Sequence, residues 1–132
     1  MHHIDLAIIG GTGLYAFPGL TDVERHEVTT RWGAPSAAIV IGKLAGRSVA
    51  FLARHGEAHT IAPHGINYRA NLAALHVLGA LRIVGINAVG GIRADMPPRA
   101  LAVPDQLIDY THGRAGSFCD AEGGPVLHID FS

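Results

Sequence analysis

Three short segments of this sequence combine glycine with side chains suited to holding an anion: Gly10-Gly11-Thr12-Gly13, Arg54-His55-Gly56 and Asn87-Ala88-Val89-Gly90-Gly91. Successive backbone N–H groups in a glycine turn form a concave donor nest, and the Thr12 hydroxyl adds one more donor. Arg54 presents planar, permanently charged donors that suit phosphate, and His55 adds a donor of adjustable charge. Small residues around Asn87 and Ala88 let a ligand lie against the backbone. The combination points to an oxyanion site, with phosphate the best fit. Each piece also has a plainer explanation: a simple strand-to-loop turn, an ion pair between Arg54 and a carboxylate such as Glu57, and a tight strand crossing at Gly90-Gly91.

Two other chemistries compete for the same residues. Gly11-Thr12-Gly13-Leu14-Tyr15-Ala16 formally matches an Ala-ending dinucleotide fingerprint, but Phe17-Pro18-Gly19 would break the helix that must follow it. His55 and His59 are four apart, as in helical zinc motifs, yet Gly56 stands where the metalloprotease pattern requires Glu, and no third ligand is evident. Neither a nicotinamide cofactor nor a metal is therefore expected. His26, His64, His76 and His112 have no partner at a ligand spacing, and Asp5, Asp109 and Glu122 are given no catalytic role.

The elements that must position these segments follow from hydrophobic pattern and punctuation. Ile4 to Ile9 is a mostly apolar, β-branched run that reads as a buried strand entering the first glycine loop. Ala37 to Ile41 and Ser48 to Ala53 flank Lys43-Leu44-Ala45-Gly46-Arg47, which predicts a hairpin whose second arm runs into Arg54. Asn67 is placed as the N-cap of a helix from Tyr68 to Leu78, with Tyr68, Leu72, Leu75 and Leu78 at helical spacing. Arg82 to Ala88 is expected as another buried strand, and Leu101 to Val103, Gln106 to Tyr110 and Val126 to Ile129 as short ones. Strands interleaved with a helix predict an α/β fold, in which ligands collect at the carboxyl ends of strands. All three candidate segments fall at such ends.

At 132 residues, 48% hydrophobic and 16% charged, the chain has the size and composition of one globular domain able to fold without disulfides or metal. The net charge of -1 offers no basic surplus for nucleic acid. Cys119 is the single cysteine, which excludes an internal disulfide and fits a reducing compartment, with the cytoplasm the default. No signal peptide or membrane span is expected.

Taken in order, Gly10 to Tyr15, Arg31-Trp32-Gly33-Ala34-Pro35-Ser36, Phe51 to Gly56, Asn67-Tyr68-Arg69-Ala70-Asn71, Asn87 to Gly91 and Pro104 to Thr111 resemble the methylthio-nucleoside phosphorylases. These belong to the trimeric purine nucleoside phosphorylase family. The resemblance implies a central mixed β-sheet flanked by helices and a phosphorolysis of 5′-methylthioadenosine or 5′-methylthioinosine in purine and methionine salvage. Inorganic phosphate would be cosubstrate and no further cofactor would be needed. Thr12, Arg54, His55, Asn87 and Ala88 match the family's phosphate-holding positions, and His128 resembles a residue that reaches the 5′ substituent of the nucleoside across a subunit boundary. A homotrimer is implied for the full-length protein.

Two departures accompany the resemblance. Gly91 stands where many relatives carry a small hydroxyl residue, and Pro98-Arg99-Ala100 replaces a Pro-Gly-Asp turn. Family chains also run to roughly twice this length, and their later half supplies the purine-binding carboxylate. Residues 1–132 are accordingly expected to be a single incomplete domain, truncated relative to the family, that holds the phosphate half of the site. No residue in it is assigned catalysis of base departure. The competing expectations are a non-catalytic phosphate- or nucleoside-binding fragment and, on a related fold, a hydrolytic nucleosidase with no need of Arg54.

Overall fold

The computed structural model describes residues 3–11, 18–120 and 124–129. Five strands form one mixed sheet: β1 (Leu6–Gly10), β2 (Thr21–His26), β3 (Ile39–Leu44), β4 (Arg47–Ala53) and β5 (Ile83–Gly85), in the order β2-β3-β4-β1-β5. A 3-10 turn (Pro63–Gly65) and one α-helix, α1 (Tyr68–Val77), lie between β4 and β5. β1 runs parallel to both β4 and β5, while β2, β3 and β4 pair antiparallel in succession. The carboxyl ends of β4, β1 and β5 therefore share one edge of the sheet, as the sequence pattern predicts.

The expected hairpin forms, closed by a two-residue turn with positive φ at Ala45 and Gly46 between the paired Leu44 and Arg47. Alternation along its strands serves both faces of the sheet. Ala7, Ile39, Ile41, Ala50 and Leu52 gather on one face with Ala74, Leu75 and Ala80, whereas Ile8, Val49 and Phe51 form a smaller cluster with Leu6, Leu20, Val40 and Leu44. A second junction fixes the start of β1: the Asp5 N–H donates to the Ser48 carbonyl at 2.9 Å, and the Ser48 N–H donates to the Asp5 carboxylate at 2.8 Å.

Asn67 caps α1 as expected, its side chain accepting from the Ala70 N–H at 3.1 Å. The buried face follows the leucine stripe read in the sequence only in part: Leu75 is buried and Leu78 packs against the core. That face consists of Ala70, Asn71, Ala74 and Leu75, while Leu72 is exposed. Ala74 and Leu75 pack with the sheet residues of the larger cluster, and Asn71 is buried with its amide matched: it accepts from the Ser36 N–H at 2.7 Å and donates to the Ser36 hydroxyl at 3.0 Å.

Four other expectations are corrected. The strand read over residues 82–88 is only Ile83–Gly85, and all three of its residues are exposed, because β5 is an edge strand and no described element covers its faces. The segments 101–103, 106–110 and 126–129 form no strands. No neighbouring strand offers them backbone partners, and their apolar side chains stand in solvent. β2, by contrast, is not evident in the sequence, since Thr21-Asp22-Val23-Glu24-Arg25-His26 has almost no apolar pattern; pairing with β3 alone makes it a strand.

Two predictions follow from these junctions. The Ser48 N–H, and secondarily His3, hold the Asp5 carboxyl below its ordinary value. That lowered value stabilises the fold above the unfolded carboxylate pKa of about 3.9, and the contribution is lost as pH falls through the lower folded value. Asp5→Asn should therefore lower the unfolding temperature at neutral pH and match the wild type at strongly acidic pH; a difference independent of pH would show that the charge is irrelevant. At the Pro97–Ala100 turn, the Ala100 N–H donates to the Pro97 carbonyl and Arg99 takes φ 73, a left-handed conformation that glycine adopts freely. Arg99→Gly should slow amide exchange at Ala100 by about three- to tenfold, relieving roughly 1 kcal/mol of backbone strain. Faster exchange would contradict this.

Candidate functional site

The site begins where the parallel ladders continue past the strand ends. The Arg54 N–H donates to the Gly10 carbonyl at 3.0 Å, and the Ile86 N–H donates to the Ile9 carbonyl at 2.9 Å. These two bonds set Arg54-His55 and Ile86-Asn87-Ala88 on either side of Gly10-Gly11. Thr12, with Gly13 to Phe17, lies outside the described residues, which include Gly10 and Gly11 of the glycine loop.

Arg54 points across β1 toward β5. Its Nη1 donates to the Ile86 carbonyl and its Nε to the His55 Nε2, both at 3.4 Å. Its Nη2 rests against Gly11, where a Cβ would stand 2.6 Å away. Glycine at position 11 thus makes room for the guanidinium. The ion pair with Glu57 that the sequence leaves open is not formed, because Glu57 binds Arg25 at 2.5 Å. Among the described residues no carboxylate pairs with Arg54. The half-buried guanidinium thus stands at the end of the sheet with no described carboxylate beside it.

His55 is held by the loop it opens. Its Nδ1 lies 2.8 Å from the Ile61 carbonyl, an acceptor only, so Nδ1 carries a proton. In the neutral ring Nε2 is then the acceptor that the Arg54 Nε–H meets. The His55 carbonyl accepts from the Ile61 N–H at 3.0 Å, and Gly56 turns the chain at φ 77, where a Cβ would stand 3.4 Å from the Ile61 side chain and 3.5 Å from the Ser36 carbonyl. The His55 and His59 rings lie 4.9 Å apart, tilted by 46°. Among the described residues no group of three potential ligands gathers around them.

Asn87 and Ala88 are exposed beside this cluster. His128 is also exposed, in an irregular segment, and no described contact joins it to Arg54 or His55. The structure thus brings Arg54, His55, Asn87 and Ala88 to one edge of the sheet. Sequence reasoning missed the Ile86 carbonyl as an anchor for Arg54 and Gly11 as its seat; the paired Gly10-Gly11 was the available signal for the second. It also missed how the Arg31–Ser36 loop is attached to α1: Asn67 Nδ2 donates to the Trp32 carbonyl at 2.7 Å, while Asn71 binds Ser36.

The packing at Gly11 gives a direct test. Among the described residues the nearest backbone atom to an added Cβ is the Ile86 carbonyl oxygen at 3.9 Å, so of these only the flexible end of Arg54 must yield. In Gly11→Ala the guanidinium should leave the Ile86 carbonyl with the strands unmoved, as a crystal structure of the variant would show. A displaced β1 with Arg54 in place would contradict this.

Among the described residues no helix is long and apolar enough to cross a membrane. Comparison with known proteins places these features in a wider context. The chain is 56% identical over 128 residues to a probable S-methyl-5′-thioinosine phosphorylase of Xanthomonas campestris pv. campestris, covering 97% of this chain and 51% of that protein. It is 46% identical over 133 residues to an S-methyl-5′-thioadenosine phosphorylase of Thermofilum pendens, covering 100% and 50% respectively. The ligand-free methylthioadenosine phosphorylase of Schistosoma mansoni superposes with a TM-score of 0.83 at 33% identity, over 98% of this chain and 47% of that one. The chain spans about half the length of the curated relatives it matches. The family described as the phosphorylase superfamily matches residues 5–131, so the chain belongs to the phosphorylase superfamily.

Proposed function

We propose that the sheet edge formed by Gly11, Arg54, His55, Asn87 and Ala88 binds inorganic phosphate, with Thr12 as a further donor. The observation that carries this reading is the Arg54 guanidinium, unpaired with any described carboxylate and seated between two neutral carbonyl-bearing strand ends. A phosphate dianion would complete its charge, and charge-assisted hydrogen bonds to arginine are about twice as strong as neutral ones.

In the complete protein this phosphate would be the nucleophile of a purine nucleoside phosphorolysis. One phosphate oxygen bonds to C1′ of the ribose as the C1′–N9 bond breaks, and that electron pair leaves with the purine. The products are the free base and a ribose 1-phosphate. Holding the dianion beneath the sugar reduces the entropic cost of the encounter and places negative charge where the ribose becomes cationic. The names of the relatives support 5′-methylthioinosine and 5′-methylthioadenosine as substrates. A role in purine and methionine salvage, a cytoplasmic location, a homotrimeric assembly and contact of His128 with the 5′ substituent belong to the same reading. So does the absence of nucleic acid and membrane among its partners.

Calorimetric titration of the 132-residue chain with inorganic phosphate tests the binding, and purine release from each methylthio-nucleoside, with and without phosphate, tests the reaction in the complete enzyme. Arg54→Ala should reduce phosphate affinity by at least tenfold, equivalent to roughly 1.5–3 kcal/mol for a lost charged hydrogen bond, while leaving the unfolding temperature nearly unchanged. Purine release that ignores phosphate and survives Arg54→Ala would identify a hydrolase instead. Phosphate binding without turnover would identify a binding module.

A further inference from the structure

Arg54 and Glu57 are three residues apart in one loop, yet their charged ends travel in opposite directions across the sheet. Arg54 reaches past β1 to the Ile86 carbonyl beyond β5, at one edge of the strand order. Glu57 reaches past β3 to Arg25 of β2, at the other edge. Register places Arg25 opposite Val40, and Val40 opposite Phe51, so Arg25 stands close to the end of β4 from which both side chains depart. With strands about 4.8 Å apart, the outermost strands are on the order of 19 Å from each other. The two charges are drawn apart by this geometry.

We propose that Arg25 is a positioning residue for the anion site: by binding Glu57 it keeps that carboxylate from neutralising Arg54. This rests on the phosphate-binding reading for its functional consequence, but the arrangement of charges stands independently. An exposed ion pair adds little to fold stability, and both side chains here are about half exposed, 55% and 52%. What the pair controls is where the carboxylate goes. Were Arg25 absent, the nearest cation along the chain to Glu57 would be Arg54, and an Arg54–Glu57 pair would compete with any incoming anion. The Glu57 carboxylate also holds Arg25 above its ordinary value, consistent with a closed pair.

The test compares Arg25→Ala, Glu57→Gln and the double variant, all in the 132-residue chain at low salt. The first readout is the Arg54 side-chain Nε–H resonance, which requires no ligand. It should move in Arg25→Ala, stay in place in Glu57→Gln, and return in the double variant. The second is inorganic phosphate affinity by calorimetry, which should fall about two- to fivefold in Arg25→Ala and recover in the double variant, with Glu57→Gln close to wild type. A simple effect of net charge predicts otherwise: Glu57→Gln alone would strengthen binding as much as Arg25→Ala weakens it, and that result overturns the proposal. An Arg54 resonance unmoved by Arg25→Ala overturns it also. If the resonance behaves as expected but the wild type binds no phosphate, the positioning role holds and the phosphate reading fails.

Discussion

Parallel pairing of β1 with both β4 and β5 is the constraint on which the other features depend. Three segments separated by more than thirty residues meet because their strands enter the same sheet in the same direction, with β1 in the middle. The ladder bonds from the Arg54 N–H to Gly10 and from the Ile86 N–H to Ile9 extend that alignment beyond the strands into the loops. A shift of one residue in either ladder would turn each side chain to the opposite face and separate Arg54 from both Gly11 and Ile86. The apolar clusters on both faces of β1 and β4 hold the register, since Ala7, Ala50 and Leu52 must meet α1 while Ile8, Val49 and Phe51 must meet the other face.

Around this alignment the loops are fastened chiefly by amides and backbone groups. Asn67 at the cap of α1 and Asn71 within it secure Trp32 and Ser36, and the Ile61 carbonyl fixes the His55 ring. Charge is thereby left for Arg54. The nearest acid in sequence, Glu57, is occupied by Arg25, and the acid near the start of β1, Asp5, is occupied by Ser48. An arginine surrounded by neutral acceptors is prepared for an anion from solution, because no described carboxylate must first be displaced.

Much of this arrangement was legible in the sequence where the signals are local. The hairpin is declared by Ala45-Gly46 between apolar runs, the helix start by Asn67, and the strand ends by Gly10-Gly11 and Arg54-His55. Long-range features were not. β2 carries hardly any apolar pattern and exists through its partner β3, and the Arg25–Glu57 pair spans 32 residues without a motif. Apolar runs such as Leu101 to Val103 read as strands, yet a strand needs a neighbour to bond with, and periodicity cannot supply one. Of the α1 leucines, Leu75 is buried and Leu78 packs against the core as the stripe implies, but Leu72 is exposed, and the buried Ala70 and Ala74 are residues that a hydrophobic stripe undervalues.

The central claim is that these strand ends compose a single anion site. Titrating inorganic phosphate into the uniformly ¹⁵N-labelled 132-residue chain and following its amide and arginine resonances tests this most directly. The account predicts concerted shifts, with one common dissociation constant, at Gly11, Arg54, His55, Asn87 and Ala88. Shifts confined to other cationic surfaces such as Arg69 and Arg114, or different constants for the β4 and β5 ends, would contradict it.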